Sequence, residues 1–249
     1  MNPLQKPLKI TLIGDICLDE YHYGRIDRFS PEAPVPIFIT EFTEIRHGMA
    51  ANVLNNLEKL GASVTSYFGS PSTKIRMIDR RSKQHIIRVD RDVDSAALSS
   101  STKFDHDVDA FVISDYNKGF VSYELIENII SLGKPVFVDT KKTDLARFQG
   151  ALVKINATEY HQARTLCDRI IVTDGERGAR FGDRVYPAPT VEITDVCGAG
   201  DTFLAALCYF YFAADNIDQA ITLAISAASC TVKHVGVYAP SFEEIVCQD

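Results

Sequence analysis

The sequence predicts a three-layer α/β fold: a doubly wound, mostly parallel sheet carrying a small β lid. Three observations predict it. Apolar runs end in acids at Leu8–Ile13 before Gly14-Asp15, Ala110–Ser114 before Asp115, and Pro135–Val138 before Asp139. Strand, acid, loop and helix in alternation mark a parallel sheet with helices on both faces. Tyr21 to Arg46 is rich in aromatic, β-branched and proline residues and lacks helical periodicity, so it reads as extended strands broken by a Pro-rich turn. Last, Gly198-Ala199-Gly200 leads into the apolar run Thr202–Ala214, a buried helix.

Taken in order, the first strand is Leu8–Ile13. Ligands of such sheets collect at the carboxyl ends of strands, which places Asp15 to face one; a turn cap is the plainer reading. A helix is expected from Ala50 to Leu60, closed by Gly61, then a strand over Val64–Gly69. Lys74 to Asp90 has a hairpin pattern around Arg81-Ser82-Lys83-Gln84. Its Arg76, Arg80 and Arg88 could point at a sugar phosphate or lie on a solvated face. Ser95–Asp107 is a polar loop or short helix. Helix Tyr123–Leu132, strand Ala151–Ile155 and strand Arg169–Thr173 continue the alternation. Short β structure is expected over Val185–Val191, and a second apolar helix over Asp218–His234.

The 249 residues allow one sizeable domain, 1–249, with the lid inserted at about 20–46 and 73–91. A net charge of −7 argues against general nucleic-acid binding, which needs a basic surface. Six scattered cysteines without metal spacing read as buried thiols in a reducing compartment. No membrane span or signal peptide is visible, so the cytoplasm is the expectation.

The chemistry concentrates at Asp195–Asp201. Glycines let the backbone approach a ligand closely. The first amides of a helix have no partner within it and sit at the positive end of its dipole, which makes an anion site. Asp201 stands at its mouth, so the pattern suggests phosphoryl transfer to a hydroxyl. The plain alternative is a Gly-x-Gly turn with Asp as a cap. The proposal requires that carboxylate to face a site, not the protein interior.

Asp195-x-x-Gly198-Ala199-Gly200-Asp201 resembles the signature of the PfkB, or ribokinase-like, carbohydrate kinases. Gly14-Asp15-x-x-Leu18-Asp19, Arg28-Phe29-Ser30-Pro31-Glu32-Ala33-Pro34-Val35-Pro36 and Gly48-Met49-Ala50-Ala51-Asn52 resemble the heptose-phosphate kinases within it. These are D-glycero-β-D-manno-heptose 7-phosphate 1-kinases, the kinase half of bifunctional ADP-heptose synthases. The resemblance implies a ribokinase-like fold, ATP and Mg2+, and a sugar phosphate as substrate; a homodimer through the β lid is expected.

It also implies roles. Asp201 would be the base, and the amides of Gly198, Ala199 and Gly200 would stabilise phosphoryl oxygens. Asp15, Gly48, Asn52 and Lys118 would hold the sugar; a buried Asn52 bonded to backbone and a surface Lys118 are the plainer readings. Asp115 and Lys141 are candidates for orienting phosphate or metal. Asn156 and Glu159 would support Mg2+ through water, or simply start a helix. Thr173, Gly175, Gly178 and Gly236 would border the nucleotide.

Departures from the pattern matter too. Met49 replaces a glycine and would reshape the sugar pocket. Ile225 stands where close relatives have Asn, and Cys197 where they have Thr. A helix-strand unit is missing before Ser70–Arg76, so a partner or repacking is expected to cover the gap. No His-x-Gly-His motif occurs, so no nucleotidyltransferase domain is expected. Two other functions fit the sequence: a kinase fold kept as a non-catalytic sugar or nucleotide binder, and a kinase for another sugar or nucleoside.

Overall fold

The computed structural model describes residues 4–247. In chain order the first strands are β1 (Lys9–Gly14), β2 (Ile16–Phe29), β3 (Pro36–Met49), β4 (Ser63–Phe68), β5 (Ser72–Asp79) and β6 (His85–Arg91). They are followed by β7 (Ala110–Asp115), β8 (Val136–Thr140), β9 (Leu152–Asn156), β10 (Ile170–Thr173), β11 (Ala179–Phe181) and β12 (Arg184–Tyr186). The helices are α1 (Ala50–Lys59), α2 (Tyr123–Ser131), α3 (Ala157–Gln162), α4 (Ala199–Ala213), α5 (Ile217–Thr231) and α6 (Phe242–Val246).

The main sheet runs β12-β11-β10-β9-β8-β7-β1-β4. Pairing is parallel from β10 through β4, and only β11 and β12 are antiparallel. The central strands are buried on both faces, as a parallel sheet covered by helices requires. One face packs on a core that includes Val53 and Leu57 of α1, most of α4, and Ile221 and Ala224 of α5. The other packs on Leu125, Ile126 and Ile129 of α2. Helix starts follow side-chain chemistry: Ser122 caps α2, Asn216 caps α5, and Ser241 with Glu244 makes a capping box on α6.

The lid is a second sheet, ordered β3-β2-β5-β6. It is longer than the sequence suggests. β2 starts at Ile16, with only Asp15 between it and β1, and β3 runs into α1. Register gives it two unlike faces. Arg46, Asp19, Lys74 and Asp90 form one row, and Ile45, Glu20, Ile75 and Val89 the next row on the opposite face.

β4 is the last strand of the main sheet, next to the expected gap before Ser70. Repacking covers one face there. Phe104, from the irregular stretch 92–109, stacks edge-on against Tyr67 of β4 at 5.3 Å and against Phe111 of β7 at 5.6 Å. The short β structure expected over 185–191 ends at Tyr186, because Pro187 and Pro189 cannot donate to a ladder.

Candidate active site

Gly198 adopts φ +78 and turns the chain into α4. A side chain there would meet the Asn52 amide at 2.7 Å, so the position needs glycine for space as well as for backbone angle. Asp201 follows in the first turn and is 4% exposed. Its carboxylate does not turn into the apolar core. Asn52 Nδ2 donates to its Oδ2 at 3.1 Å, and the Tyr116 hydroxyl donates to its Oδ1 at 2.9 Å. Burial pushes Asp201 up to about 6; the two donors and Lys154 pull the other way, and Asp139 adds to the push.

Asp15 sits close by, at the end of β1. Its Oδ2 accepts the amides of Tyr116 at 2.8 Å and Lys118 at 3.2 Å. Its Oδ1 is buried with no protein partner, an acceptor suited to a ligand hydroxyl. Burial raises its pKa above the ordinary carboxylate value.

Other expected sugar contacts are engaged with the protein. Asn52 is buried on α1, donating to Asp201 while its Oδ1 accepts from Asn56. It therefore holds the carboxylate. Gly48 lies against Asp19, where a Cβ would come within 2.4 Å of Oδ2. Lys118 offers its backbone to Asp15, and its ammonium pairs with Asp92 at 2.7 Å. Asp115 accepts from Thr140 at 2.6 Å and from the Asn117 amide at 2.9 Å, so its carboxylate braces the loop after β7.

A cavity of about 630 Å³ opens beside the cradle. Ala199 and Gly200 form one end of it, and Thr173, Gly175 and Gly178 one wall. Phe203, Ile225 and Val232 make its floor apolar. Gly178 has φ +88, and a Cβ there would meet the Tyr186 carbonyl at 2.0 Å. Gly236, expected here, does not line this cavity. Its amide donates to Asp195 at 2.8 Å, and the Arg46 guanidinium packs against it. The distance arises because α5 ends at Thr231, five residues earlier, and the chain then turns toward the lid.

Asn156 and Glu159 form the capping box of α3, and Glu159 also pairs with Lys141. Among the described residues no three His, Cys, Asp or Glu side chains cluster to hold a metal. Asn156 and Glu159 would fit a magnesium ion carried on a triphosphate, with water between.

Three participants escaped the sequence reading. Tyr116 bonds Asp201 across 85 residues of chain. Lys154 of β9 and Asp139 of β8 form a buried ion pair at 2.7 Å, and the Lys154 ammonium lies 2.9 Å from where a Gly200 side chain would begin. Asp139 stands directly opposite Lys154 in the register of β8 and β9, a pairing that no local sequence pattern signals. Arg76, Arg80 and Arg88 pair with Asp19, Glu41 and Asp90, so none stands free to meet a phosphate.

Comparisons with known proteins agree with this geometry. Residues 128–244 match the model of the pfkB family carbohydrate kinases. The bifunctional protein HldE of a Nitratiruptor species is 32% identical over 95% of this chain and 64% of its own length. That of Bradyrhizobium diazoefficiens is 30% identical over 95% of the chain and 62% of its own. The chain thus spans less than two thirds of these relatives. The second alignment runs over 304 residues, against 249 in the whole chain, so the relatives carry inserted segments that this chain lacks. A ribokinase of Thermotoga maritima superposes with TM-score 0.69 at 15% identity, covering 96% of this chain and 98% of its own. Arabidopsis thaliana ribokinase, solved with ribose and ATP, gives 0.70 at 14% identity, covering 97% and 98%. Residues 128–244 thus form a pfkB family carbohydrate kinase domain, and the chain has the ribokinase-like fold.

Proposed function

We propose that this protein is an ATP-dependent sugar kinase whose acceptor is a heptose 7-phosphate, phosphorylated at position 1. One observation carries the reaction class. The first turn of α4 faces two ways, with Ala199 and Gly200 on the large cavity and Asp201 toward Asp15, Asn52 and Tyr116. A nucleotide fits the first side, its base against Phe203 and Ile225 and its phosphates at the helix amides. A hydroxyl donor fits the second.

In this reading the acceptor oxygen forms a bond to the γ-phosphorus, the bond to the ADP oxygen breaks, and the hydroxyl proton passes to Asp201. The amides of Gly198, Ala199 and Gly200 face charge developing on the phosphoryl oxygens. Magnesium, arriving on the triphosphate, would supply further neutralisation. Asp15 Oδ1 holds an acceptor hydroxyl. The lid keeps water away from the transfer. On the lid's charged face Lys74, which lies over the Tyr116 ring at 6.0 Å, is the cation that would meet the acceptor's phosphate, whereas Arg46, Arg76 and Arg88 are taken by Glu44, Asp19 and Asp90. The resemblance over Arg28–Pro36 and the HldE relatives support a heptose.

The lid's opposite face supports a homodimer. Ile45, Ile87 and Val89 are 59%, 52% and 37% exposed on it, and a patch of that kind favours a partner. Light scattering at the mass of a monomer would reject this. No helix among the described residues is long and apolar enough to cross a membrane.

Transfer of labelled phosphate from ATP with Mg2+ to a panel of sugars and sugar phosphates tests the activity. Asp201→Asn should lower turnover about a hundredfold or more while nucleotide still binds. Near-normal turnover would remove Asp201 as base. No transfer to any acceptor, with retained binding, would favour the non-catalytic reading.

A further inference from the structure

Among the described residues Tyr116 is the one that hydrogen-bonds the carboxylates of both Asp15 and Asp201. Its backbone amide donates to Asp15 Oδ2 at 2.8 Å, and its hydroxyl donates to Asp201 Oδ1 at 2.9 Å. The ring between these two ends is fixed from several directions. Lys74 of the lid lies 6.0 Å from its centroid and Lys141 lies 5.3 Å from it. The next residue, Asn117, takes φ +59, and Gly119 takes φ +93, so the loop turns back sharply after it. Lys118 adds a second amide to Asp15. A tyrosine that only filled space could satisfy its hydroxyl on any carbonyl or water. This one uses the buried carboxylate of the glycine motif.

We propose that Tyr116 is the positioning residue of the site: its hydroxyl fixes the rotation of the Asp201 carboxylate, and its amide fixes Asp15 at a set distance from it. This inference rests on the reading of Asp201 as the base. Asn52 holds Oδ2 from the other side, so the carboxylate is clamped at both oxygens. Each oxygen keeps a lone pair for the acceptor hydroxyl. Tyr116 does not itself touch the reacting atoms.

The clamp has an electrostatic consequence that a purely structural role lacks. Asn52 from α1, Tyr116 from the loop after β7, Asp139 from β8 and Lys154 from β9 all act on Asp201, and Cys17 and Cys197 lie near it. A donor to the ionised carboxylate favours the charged form. Removing the hydroxyl alone should therefore raise the pH at which Asp201 loses its proton.

The test needs no acceptor. Protein carrying 13C in its aspartate carboxyls is titrated by NMR, and the Asp201 signal is assigned by its loss in Asp201→Asn. Wild type should titrate near 6. Tyr116→Phe keeps the ring and should move the midpoint up by about one pH unit, the size of one charge-assisted hydrogen bond. Replacing the tyrosines by 3-fluorotyrosine, a stronger donor, should move it down. With heptose 7-phosphate as acceptor, the acid limb of kcat in Tyr116→Phe should shift by the same amount. A midpoint unmoved in Tyr116→Phe overturns the positioning role. Full turnover in Asp201→Asn would instead remove Asp201 as the base on which this inference rests, whatever Tyr116→Phe does, so the two failures are distinguishable.

Discussion

The two sides of the α4 turn are built on opposite plans. The side proposed for the acceptor is buried, charged and tied. Asp15, Asp19, Asn52, Lys154 and Asp201 are all buried there, and each has a partner. The nucleotide side is open and apolar, with Ile193 and Val196 51% and 68% exposed at its rim and Phe203 and Ile225 beneath. Charge held in a low dielectric is strong and costly to rearrange, so it suits a place where a proton must leave one atom. An apolar slot grips a flat ring by area and tolerates variation in its lining. Ile225 accordingly adds to an apolar lining on one side, whereas an apolar residue at Asn52 would strip a donor from a buried carboxylate on the other.

The hardest test of this contrast is Lys154. Its ammonium and the Asp139 carboxylate are both largely buried, and burial raises Asp139 above the ordinary range while Lys154 opposes it. Lys154→Met leaves that carboxylate buried and alone. Chemical denaturation should show a loss of about 3–5 kcal/mol. Adding Asp139→Leu should recover most of it, since a buried pair replaced by apolar groups is often neutral. If Lys154→Met alone costs under about 1 kcal/mol, the acceptor side is not the tightly tied region claimed here.

Asp201 tests the same contrast with the opposite sign. Its folded pKa, about 6, lies above the ordinary value of 3.8. The native state thus holds that proton more tightly than the unfolded chain. The resulting stability is full below about pH 4 and is lost as pH rises through 6. Asp201→Asn should therefore be the more stable protein at pH 8, by up to about 2–3 kcal/mol, with the advantage vanishing near pH 4. Paired denaturation curves at the two pH values measure it. An advantage that is independent of pH would show that burial does not burden this carboxylate.

These two groups also mark where sequence ceases to be informative. Strands β1, β7 and β8 were legible because fully buried parallel strands leave continuous apolar runs, each stopped by Asp15, Asp115 or an acid beside Thr140. The α4 cradle was legible because only glycine suits Gly198, and α3 because Asn156 and Glu159 stand at capping-box spacing. The lid's start was misjudged because Ile16 continues straight from Asp15 without a turn residue. The ties on the acceptor side were not legible at all. Tyr116 to Asp201 and Asp139 to Lys154 are set by register between strands and by loop geometry, which no local pattern encodes.

The smallest predicted difference, and the sharpest, lies between two variants of Met49. It takes φ +59 and ψ −133, a conformation that glycine adopts freely and methionine does not, yet its side chain is 4% exposed. Strain of that kind costs roughly 1–3 kcal/mol. Losing the buried side chain costs about 2–5 kcal/mol. Met49→Ala loses the packing and keeps the strain, so it should destabilise by about 2–5 kcal/mol. Met49→Gly loses the packing and releases the strain. Glycine ordinarily sits about 0.5–1 kcal/mol below alanine in a regular element. Here the order should invert, with Met49→Gly the more stable of the two by about 1 kcal/mol. Denaturation of both variants decides it, and the ordinary order would mean that the backbone between β3 and α1 relaxes to suit a side chain. The strain lies at the entry to the helix that carries Asn52, on the tied side of the turn, and no residue that bears a side chain and lines the nucleotide cavity has a positive φ.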